Sequence, residues 1–182
     1  MMEVFPTGLE GVLRLRPKVF ADPRGHFMET FNEAAFAKAT GVKPHFVQDN
    51  ESRSRAGVLR GLHLQAAPHA QAKLVRVIKG AVLDVCVDVR TNSATFGEHI
   101  SVRLDAVDHE ILYIPEGIAH GFLALEDDTV FSYKCSAYYA PQAERTILWN
   151  DPELNIQWGI NEPIVSGKDL MGTRLAERAW EQ

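Results

Sequence analysis

Two histidines and a lysine lie inside apolar, strand-like stretches of the sequence, where charged or proton-carrying side chains are uncommon. They are His63, Lys73 and His120, and Arg60 lies close to the first of them. An imidazole can give or accept a proton, whereas ammonium and guanidinium groups attract negative charge. If these side chains face the interior together, they suit an anionic substrate whose protons are exchanged.

The overall charge and the cysteines narrow the classes of function. The 182 residues carry a formal net charge of −5, which argues against a general affinity for nucleic acid, although local basic clusters could still bind one small anion. Cys86 and Cys135 lie in apolar stretches and are expected to be buried thiols rather than a disulfide or a metal pair. Such thiols agree with a reducing compartment.

No part of the sequence is typical of a targeting or membrane-spanning segment. The N-terminal residues lack a basic start followed by an apolar run, and no later stretch approaches the roughly 20 apolar residues that span a bilayer. A soluble, cytoplasmic protein is therefore expected.

The elements that must position the polar side chains are mostly strands. Short runs of Val, Ile, Leu, Phe and Tyr alternate with Gly, Asp, Asn and Pro, which is typical of an all-β sandwich or barrel. A helix is predicted over residues 33–40, between a cap at Asn32 and Gly41, and a second from Thr173 to the C-terminus. Residues 1–182 are expected to form one domain, because no linker or repeat interrupts them. Strands are predicted near residues 11–20, 26–31, 45–52, 57–65, 73–79, 81–90, 98–104, 110–115, 119–126, 129–138 and 145–149.

Residues 115–120 resemble the second sequence motif of the cupins, a PxGxxH turn that places a histidine inside a jelly-roll barrel. The first cupin motif normally adds two His separated by one residue. These are followed by a Glu and a later Gly, with six residues between the Glu and the Gly. Here the first pair is His63 and Gln65, and Lys73 occupies the Glu position before Gly80. Since an ammonium group cannot coordinate a cation, the sequence predicts a cupin-type barrel without a metal.

Seven runs of residues, spread over almost the whole chain, carry a recognisable family pattern. They are Asp22-Pro23-Arg24-Gly25 with Glu29, residues 46–52 (FVQDNES), 57–65 (GVLRGLHLQ), 71–75 (QAKLV), 84–90 (DVCVDVR), 114–122 (IPEGIAHGF) and 147–151 (ILWND). Together and in this order, they closely resemble the dTDP-4-dehydrorhamnose 3,5-epimerase family. The resemblance implies a cofactor-free epimerase that inverts C3 and C5 of a dTDP-4-keto-6-deoxyhexose.

Epimerisation beside a ketone needs a base, a donor for the enolate oxygen and an acid that returns the proton from the opposite face. The resemblance assigns the base to His63, oriented by Asp169, and the acid to Tyr133. Tyr139 is the alternative acid, although it and Tyr138 are expected to position or stack on the substrate.

Further family positions that contact the substrate are present in this chain. Lys73 and His120 are expected to line the sugar site, where a cation would stabilise the enolate, and Asp84 is expected to pair with Lys73. Arginine forks suit phosphate oxygens, whereas amides and carboxylates can recognise a sugar or base edge. The remaining contacts implied for sugar, diphosphate or thymidine are Arg24, Glu29, Gln48, Asn50, Arg60, Glu144 and Lys168.

The resemblance also implies a homodimer in which N-terminal strands, with Arg24 and Glu29, complete the partner's site. The chain departs from the family near its end, where Gly159 follows Trp158, and Val165 and Gly167 flank Ser166. Three alternatives are distinct from the double epimerase. They are an epimerase that inverts one carbon, a non-catalytic cupin that binds a nucleotide sugar, and a metal-dependent cupin oxygenase, which Lys73 disfavours.

Overall fold

The computed structural model describes residues 2–177, and antiparallel strands are their main regular structure. Two helices are present in that range, α1 at Glu33–Thr40 and the short α2 at Gly167–Leu170. Single 3₁₀ turns cover Pro141–Ala143 and Leu175–Glu177. The strands are β1 (Glu3–Pro6), β2 (Leu13–Arg16), β3 (Val19–Asp22), β4 (Gly25–Met28), β5 (Gln48–Ser54), β6 (Val58–Gln65), β7 (Lys73–Lys79), β8 (Ala81–Asp88), β9 (His99–Asp105), β10 (Ile111–Ile114), β11 (Ile118–Ala124), β12 (Thr129–Cys135), β13 (Glu144–Thr146) and β14 (Ile164–Val165).

The strands form two sheets that face each other, as in a cupin-type jelly roll, so the predicted fold class is confirmed. The first sheet has the order β1-β2-β10-β7-β12-β5. The second has the order β13-β6-β11-β8-β9, with β14 added in parallel to β6. Among the described residues, β3 and β4 form a hairpin that pairs with neither sheet.

Strand alternation separates the interior of the sandwich from its outer faces. Val75, Val82 and Phe131 belong to a buried cluster between the sheets. Leu74 on β7 and Val85 on β8 lie on the opposite face of the same strands, where other segments cover them. By the same alternation, His63, Lys73, Asp84, His120 and Tyr133 point inward. The predicted chemistry therefore lies inside the barrel.

Segments outside the strands cover both outer faces. Helix α1 begins where the Asn32 side chain accepts a hydrogen bond from Ala35 N, and it ends at Gly41 in the left-handed conformation, as predicted. Its Phe36 is fully buried against the first sheet. Ile147, Leu154 and Trp158 cover the second sheet. Each sheet is therefore buried on two sides, which makes it a rigid support.

Most predicted strands are present, with differences at their ends. The stretch predicted as one strand over 11–20 is divided into β2 and β3 at Pro17, which has no N–H for a sheet hydrogen bond. Strands β1 and β14 and helix α2 were not predicted. The helix predicted from Thr173 is wrong over its described part, which holds one 3₁₀ turn at Leu175–Glu177. Residues 178–182 of that prediction lie outside the described residues.

Candidate active site

The polar side chains of the interior open onto a cavity of about 610 Å³. This volume is within the range of small-ligand sites in proteins. Strands of both sheets form its walls, and the chain segment after β13 closes one side. The predicted site residues that line it are Arg60, His63, Lys73, His120, Tyr133, Tyr139, Glu144, Lys168 and Asp169.

A local irregularity in β6 turns His63 into this cavity. The pairing of β6 with β11 shifts register between His120 and Phe122. At this shift Gly61 has φ of +130° and lies against Gly121, where a Cβ would come within 2.9 Å of His120 O. Only glycine fits this close approach of two backbones. The bulge therefore sets His63 directly opposite His120.

His63 is paired with Asp169, as the sequence predicts. The distance from His63 Nε2 to Asp169 Oδ1 is 2.6 Å, and the Asp169 side chain is almost fully buried. Burial favours a raised pKa for the Asp169 carboxyl, but the hydrogen bond and charge of His63 and the Gly61 N–H outweigh it, so the pKa lies below its usual value. An ionised carboxylate can orient the imidazole and stabilise its protonated form.

The segment that carries Asp169 is held to β6 along its length. Ile164 N donates to Gly57 O at 2.7 Å, and β14 then pairs in parallel with β6. The Ser166 side chain caps α2 by accepting from Asp169 N at 3.1 Å. The departures from the family pattern at Val165 and Gly167 therefore leave Asp169 within hydrogen-bond distance of His63.

Tyr133 enters the cavity from β12 of the first sheet, whereas His63 enters from β6 of the second. Burial raises the pKa of the Tyr133 phenol, with a smaller contribution from Cys135, so the phenol keeps its proton at neutral pH. A protonated phenol and an imidazole thus approach the same space from opposite sheets. This arrangement suits removal and return of a proton on two faces of one substrate.

Lys73 lies at the floor of the cavity, only 8% exposed. Its Nζ donates to His63 O at 3.2 Å. Burial lowers the pKa of the Lys73 ammonium, while nearby thiols and carboxylates, among them Cys135 and Asp84, act in the opposite direction. The predicted pairing of Asp84 with Lys73 is replaced by a hydrogen bond of 2.9 Å between Asp84 Oδ2 and His120 Nε2.

At the mouth of the cavity Glu144 joins two predicted residues. Lys168 Nζ donates to Glu144 Oε1 at 2.6 Å, and the Tyr139 hydroxyl donates to Oε2 at 2.9 Å. Burial opposes ionisation of Glu144, but these two donors lower its pKa below the usual value. Tyr139 is half exposed, so the competing acid role fits it less well than a place against the substrate.

A second, smaller opening beside Lys73 contains Gln48 and Asn50. Gln48 Nε2 donates to Asn50 Oδ1 at 3.0 Å and Gln48 Oε1 accepts from Tyr139 N at 2.9 Å. Gln65, at a position where many cupins bind metal, accepts from Ala140 N at 2.8 Å and so ties the Tyr139 segment to β6. Within residues 2–177 no three His, Cys, Asp or Glu side chains form a metal-binding group.

Arg24 and Glu29 are outside the cavity. Arg24 is exposed in the hairpin of β3 and β4, where it forms an ion pair with Asp22. Glu29 is also exposed, beyond the hairpin, and accepts from Asn32 Nδ2 at 3.2 Å. The chain therefore does not bring these two predicted residues to its own site.

Sequence reasoning missed several residues of the cavity. The hydroxyl of Ser52 is buried there and has no hydrogen-bond partner within residues 2–177. Ile164 and Val165 of β14 form an apolar wall. The alternation of β5 could have indicated Ser52, but nothing local indicates β14, because its pairing depends on a distant strand.

Taken together, the fold and site are those of a proton-transfer enzyme built in a cupin-type barrel. Residues 6–177 match the family model described as dTDP-4-dehydrorhamnose 3,5-epimerase. The chain belongs to this family, and it is an isomerase of the epimerase class. Both cysteines are buried and unpaired, as predicted.

Individual relatives are similar over nearly the full length. The dTDP-4-dehydrorhamnose 3,5-epimerase of Shigella flexneri is 49% identical over 176 residues, covering 97% of both chains. A dTDP-4-dehydrorhamnose 3-epimerase of Streptomyces niveus is 41% identical and covers 97% of this chain and 85% of its own length. A solved dTDP-6-deoxy-D-glucose-3,5-epimerase of Legionella pneumophila, in complex with dTDP-4-keto-L-rhamnose, has a TM-score of 0.93 at 40% identity, covering 98% and 97%. Within residues 2–177, no helix has the length and apolar character of a membrane span.

Proposed function

We propose that this chain inverts C3 and C5 of dTDP-4-dehydro-6-deoxy-D-glucose to give dTDP-4-dehydro-L-rhamnose, on the route to dTDP-L-rhamnose. The observation that carries the proposal is the His63–Asp169 pair at 2.6 Å in the same cavity as the buried Tyr133 phenol. The names of the relatives support the substrate and the double inversion. The second candidate function is inversion of one carbon only, because one of the relatives is a 3-epimerase.

His63 is the base in this proposal. It removes the proton from C3 or C5, each of which is acidic because it lies beside the C4 ketone. The electron pair of the broken C–H bond forms an enolate, whose charge lies on the C4 oxygen. Lys73 and His120 supply positive charge near that oxygen. Tyr133 then donates its proton to the opposite face of the carbon. Before the other carbon reacts in the same way, His63 releases its proton to water and Tyr133 takes one up from water.

Substrate binding is assigned to the residues around this centre. Arg60 lines the cavity with a guanidinium group that suits a phosphate oxygen. Glu144, Lys168 and Tyr139 form a polar group at the mouth, and Gln48 with Asn50 lies beside it. The assignment needs no cofactor, and Lys73 at a cupin ligand position supports this. A nucleotide-sugar enzyme with buried thiols fits the cytoplasm.

A homodimer with shared sites is also part of the proposal. The hairpin of β3 and β4 exposes Phe20 and Phe27 to 52% and 69%, although apolar rings of this size are usually covered. The hairpin also carries Arg24, which is exposed and does not line the chain's own cavity. A second copy would cover the rings and receive Arg24 and Glu29 in its site.

The test of the reaction is incubation of the enzyme with dTDP-4-dehydro-6-deoxyglucose in D₂O, followed by NMR and mass analysis. Deuterium at C3 and C5 with inversion of both, unchanged by a chelator, supports the proposal. Label and inversion at C3 alone would establish the 3-epimerase instead. Binding without label would indicate a non-catalytic nucleotide-sugar protein, and loss of activity on chelation would contradict the metal-free mechanism.

The test of the shared site uses two variants that are defective for different reasons. Co-expressed His63→Asn and Arg24→Ala chains form mixed dimers in which one site has both side chains intact. Activity above that of either variant alone is expected. No recovery, together with a monomer by light scattering, would exclude the shared site.

A further inference from the structure

Asp84 is a buried carboxylate behind His120, a residue that lines the cavity, and the proposed reaction gives it no role. It lies in the middle of β8 with no exposed surface. Its diagonal neighbour on β11 is His120, because Phe122 is opposite Asp84 and His120 is opposite Cys86. Residues at such diagonal positions share one face of a sheet. Asp84 and His120 therefore meet inside the barrel, where Oδ2 and Nε2 are 2.9 Å apart.

A carboxylate without access to water is costly unless a cation or hydrogen-bond donors compensate it. Within residues 2–177, two side chains that can carry positive charge lie near Asp84, and of these His120 contacts it directly. The Lys73 ammonium is attracted by the charge of Asp84, but its described hydrogen bond goes to His63 O. The Cys86 thiol at 3.9 Å is a weak donor. His120 is thus the principal partner of this buried charge.

Two imidazole–carboxylate pairs consequently present an imidazole to the cavity, and their surroundings differ. His63 and His120 are register partners on β6 and β11, and both line the cavity. The His63 side chain is 26% exposed, as a base that exchanges protons with water requires, whereas the His120 side chain is only 7% exposed. The second pair is better suited to hold a charge than to carry protons in and out.

We propose that Asp84 is a positioning residue that holds His120 as an oriented cation directed at the C4 oxygen, where the enolate charge develops. The inference rests on the proposed epimerisation and deepens it. Because the same oxygen carries the charge whether C3 or C5 is deprotonated, Asp84 serves both inversions equally. A carboxylate that acted on only one proton transfer would not have this property.

The experiment compares Asp84→Asn with Cys86→Ala, which alters a neighbouring buried side chain on the same face of β8 and leaves the hydrogen bond to His120 intact. Asp84→Asn is expected to lower kcat by about 10- to 100-fold, somewhat less than removal of a donor to an oxyanion. Deuterium exchange at C3 and C5 should slow by the same factor, with little change in KM. Cys86→Ala should keep wild-type exchange.

Two further readouts separate positioning from loss of structure. When His120→Gln is already present, adding Asp84→Asn should lower kcat little further. The effects of two residues on kcat are not additive when one acts through the other. The ratio of Asp84→Asn to wild-type kcat should also rise from about pH 8 to pH 6, where imidazole gains its proton without help. The groups that face His120 in this titration are His63 on β6, Lys73 on β7, Asp84 and Cys86 on β8, and Tyr133 on β12.

Several results would overturn the inference. If Asp84→Asn slows deuterium exchange unequally at C3 and C5, or leaves it at the wild-type rate, Asp84 does not act at the C4 oxygen that both inversions share. If Asp84→Asn lowers kcat by its full factor even when His120→Gln is present, Asp84 acts through Lys73 instead of His120. If Asp84→Asn does not fold, imidazole NMR of the wild-type protein decides, because a neutral His120 ring at about pH 7 contradicts the proposal. If the wild-type enzyme shows no exchange at all, the proposed function itself fails.

Discussion

Two carboxylates on the same strand, Asp84 and Asp88 of β8, are both completely buried but have very different surroundings. Asp88, at the end of the strand, accepts from the backbone and guanidinium of Arg90 and from the hydroxyls of Ser93 and Thr95, at 2.6–3.0 Å. Asp84, in the middle, has one strong partner, His120, which lines the cavity.

The difference shows how a buried charge can be assigned to folding or to chemistry. Around Asp88 both oxygens are satisfied by one short segment, so the carboxylate closes the loop after β8 and has no capacity for a ligand. Asp84, by contrast, is hydrogen-bonded to the imidazole of His120, which lines the open cavity. We therefore expect substitutions at the strand end to change stability, and substitutions in the cavity to change the rate.

The largest expected effect is that of His63→Asn, at the centre of the cavity. Loss of the base should slow deuterium exchange at both carbons by about 10⁴-fold, the upper end for a positioned acid or base. Binding of dTDP should persist, because Arg60 and the residues at the mouth are retained. His45→Asn, an exposed histidine with no assigned role, is the control. If His63→Asn exchanges deuterium at the wild-type rate, His63 is not the base.

Asp169→Asn should have the next largest effect on rate. The amide cannot stabilise a protonated imidazole as the carboxylate does, so kcat should fall by about 10²-fold. Since the effect is on the base, KM for the nucleotide sugar should change little. Steady-state kinetics separate the two parameters. A higher KM with unchanged kcat would show that Asp169 holds the loop rather than the imidazole.

Asp88→Asn tests the other side of the comparison. Breaking this buried ion pair with Arg90 should lower the free energy of unfolding by about 3 kcal/mol, measured by urea denaturation, with kcat unchanged. Burial favours a raised pKa for Asp88, but its hydrogen bonds with Arg90, Ser93 and Thr95 outweigh this and hold the pKa well below its usual range.

The sign of the pH dependence follows from that lowered pKa. The contribution of Asp88 is fully present above the usual carboxyl pKa of about 4 and is lost as the pH falls through the folded value. Wild-type stability should therefore drop below about pH 4, and the drop should be smaller in Asp88→Asn. Parallel curves for the two proteins would show that Asp88 is not a major part of the acid sensitivity.

The smallest predicted effect is that of Lys168→Met at the mouth of the cavity. Lys168 is half exposed and contacts Glu144, so it should aid binding rather than the chemical step. KM should rise by about tenfold or less, the range of one typical hydrogen bond, with kcat nearly constant. Lys38→Met on α1 is the control. A large fall in kcat would move Lys168 from the binding group to the catalytic group.

Much of this site could be predicted because strand alternation and a short motif act locally. The PxGxxH turn and the strands around it place His120 inward, and the same alternation places His63, Lys73 and Tyr133. The pairing of His63 with Asp169 was expected from the family resemblance alone. The two residues are far apart in sequence, and the geometry of β14 and α2 brings them together.

Other parts could not be predicted from local patterns. Asp84 lies in an apolar run that predicts a buried strand, but its partner depends on the diagonal pairing with β11. Strand β14 has two residues, too few for a periodic signal, and pairs with a distant strand. The place of Arg24 and Glu29 requires a second copy of the chain, so one chain leaves their predicted role a proposal.

In the proposed mechanism a base and an acid act from opposite sheets, and Tyr133→Phe removes only the acid. Without the phenol, His63 can still form the enolate and return a proton to the original face. Deuterium from D₂O should enter C3 and C5 while inversion falls by about 10²- to 10⁴-fold, whereas Tyr113→Phe on β10 should behave as wild type. If Tyr133→Phe inverts both carbons at the wild-type rate, another residue, with Tyr139 the first to examine, returns the proton and the account is wrong.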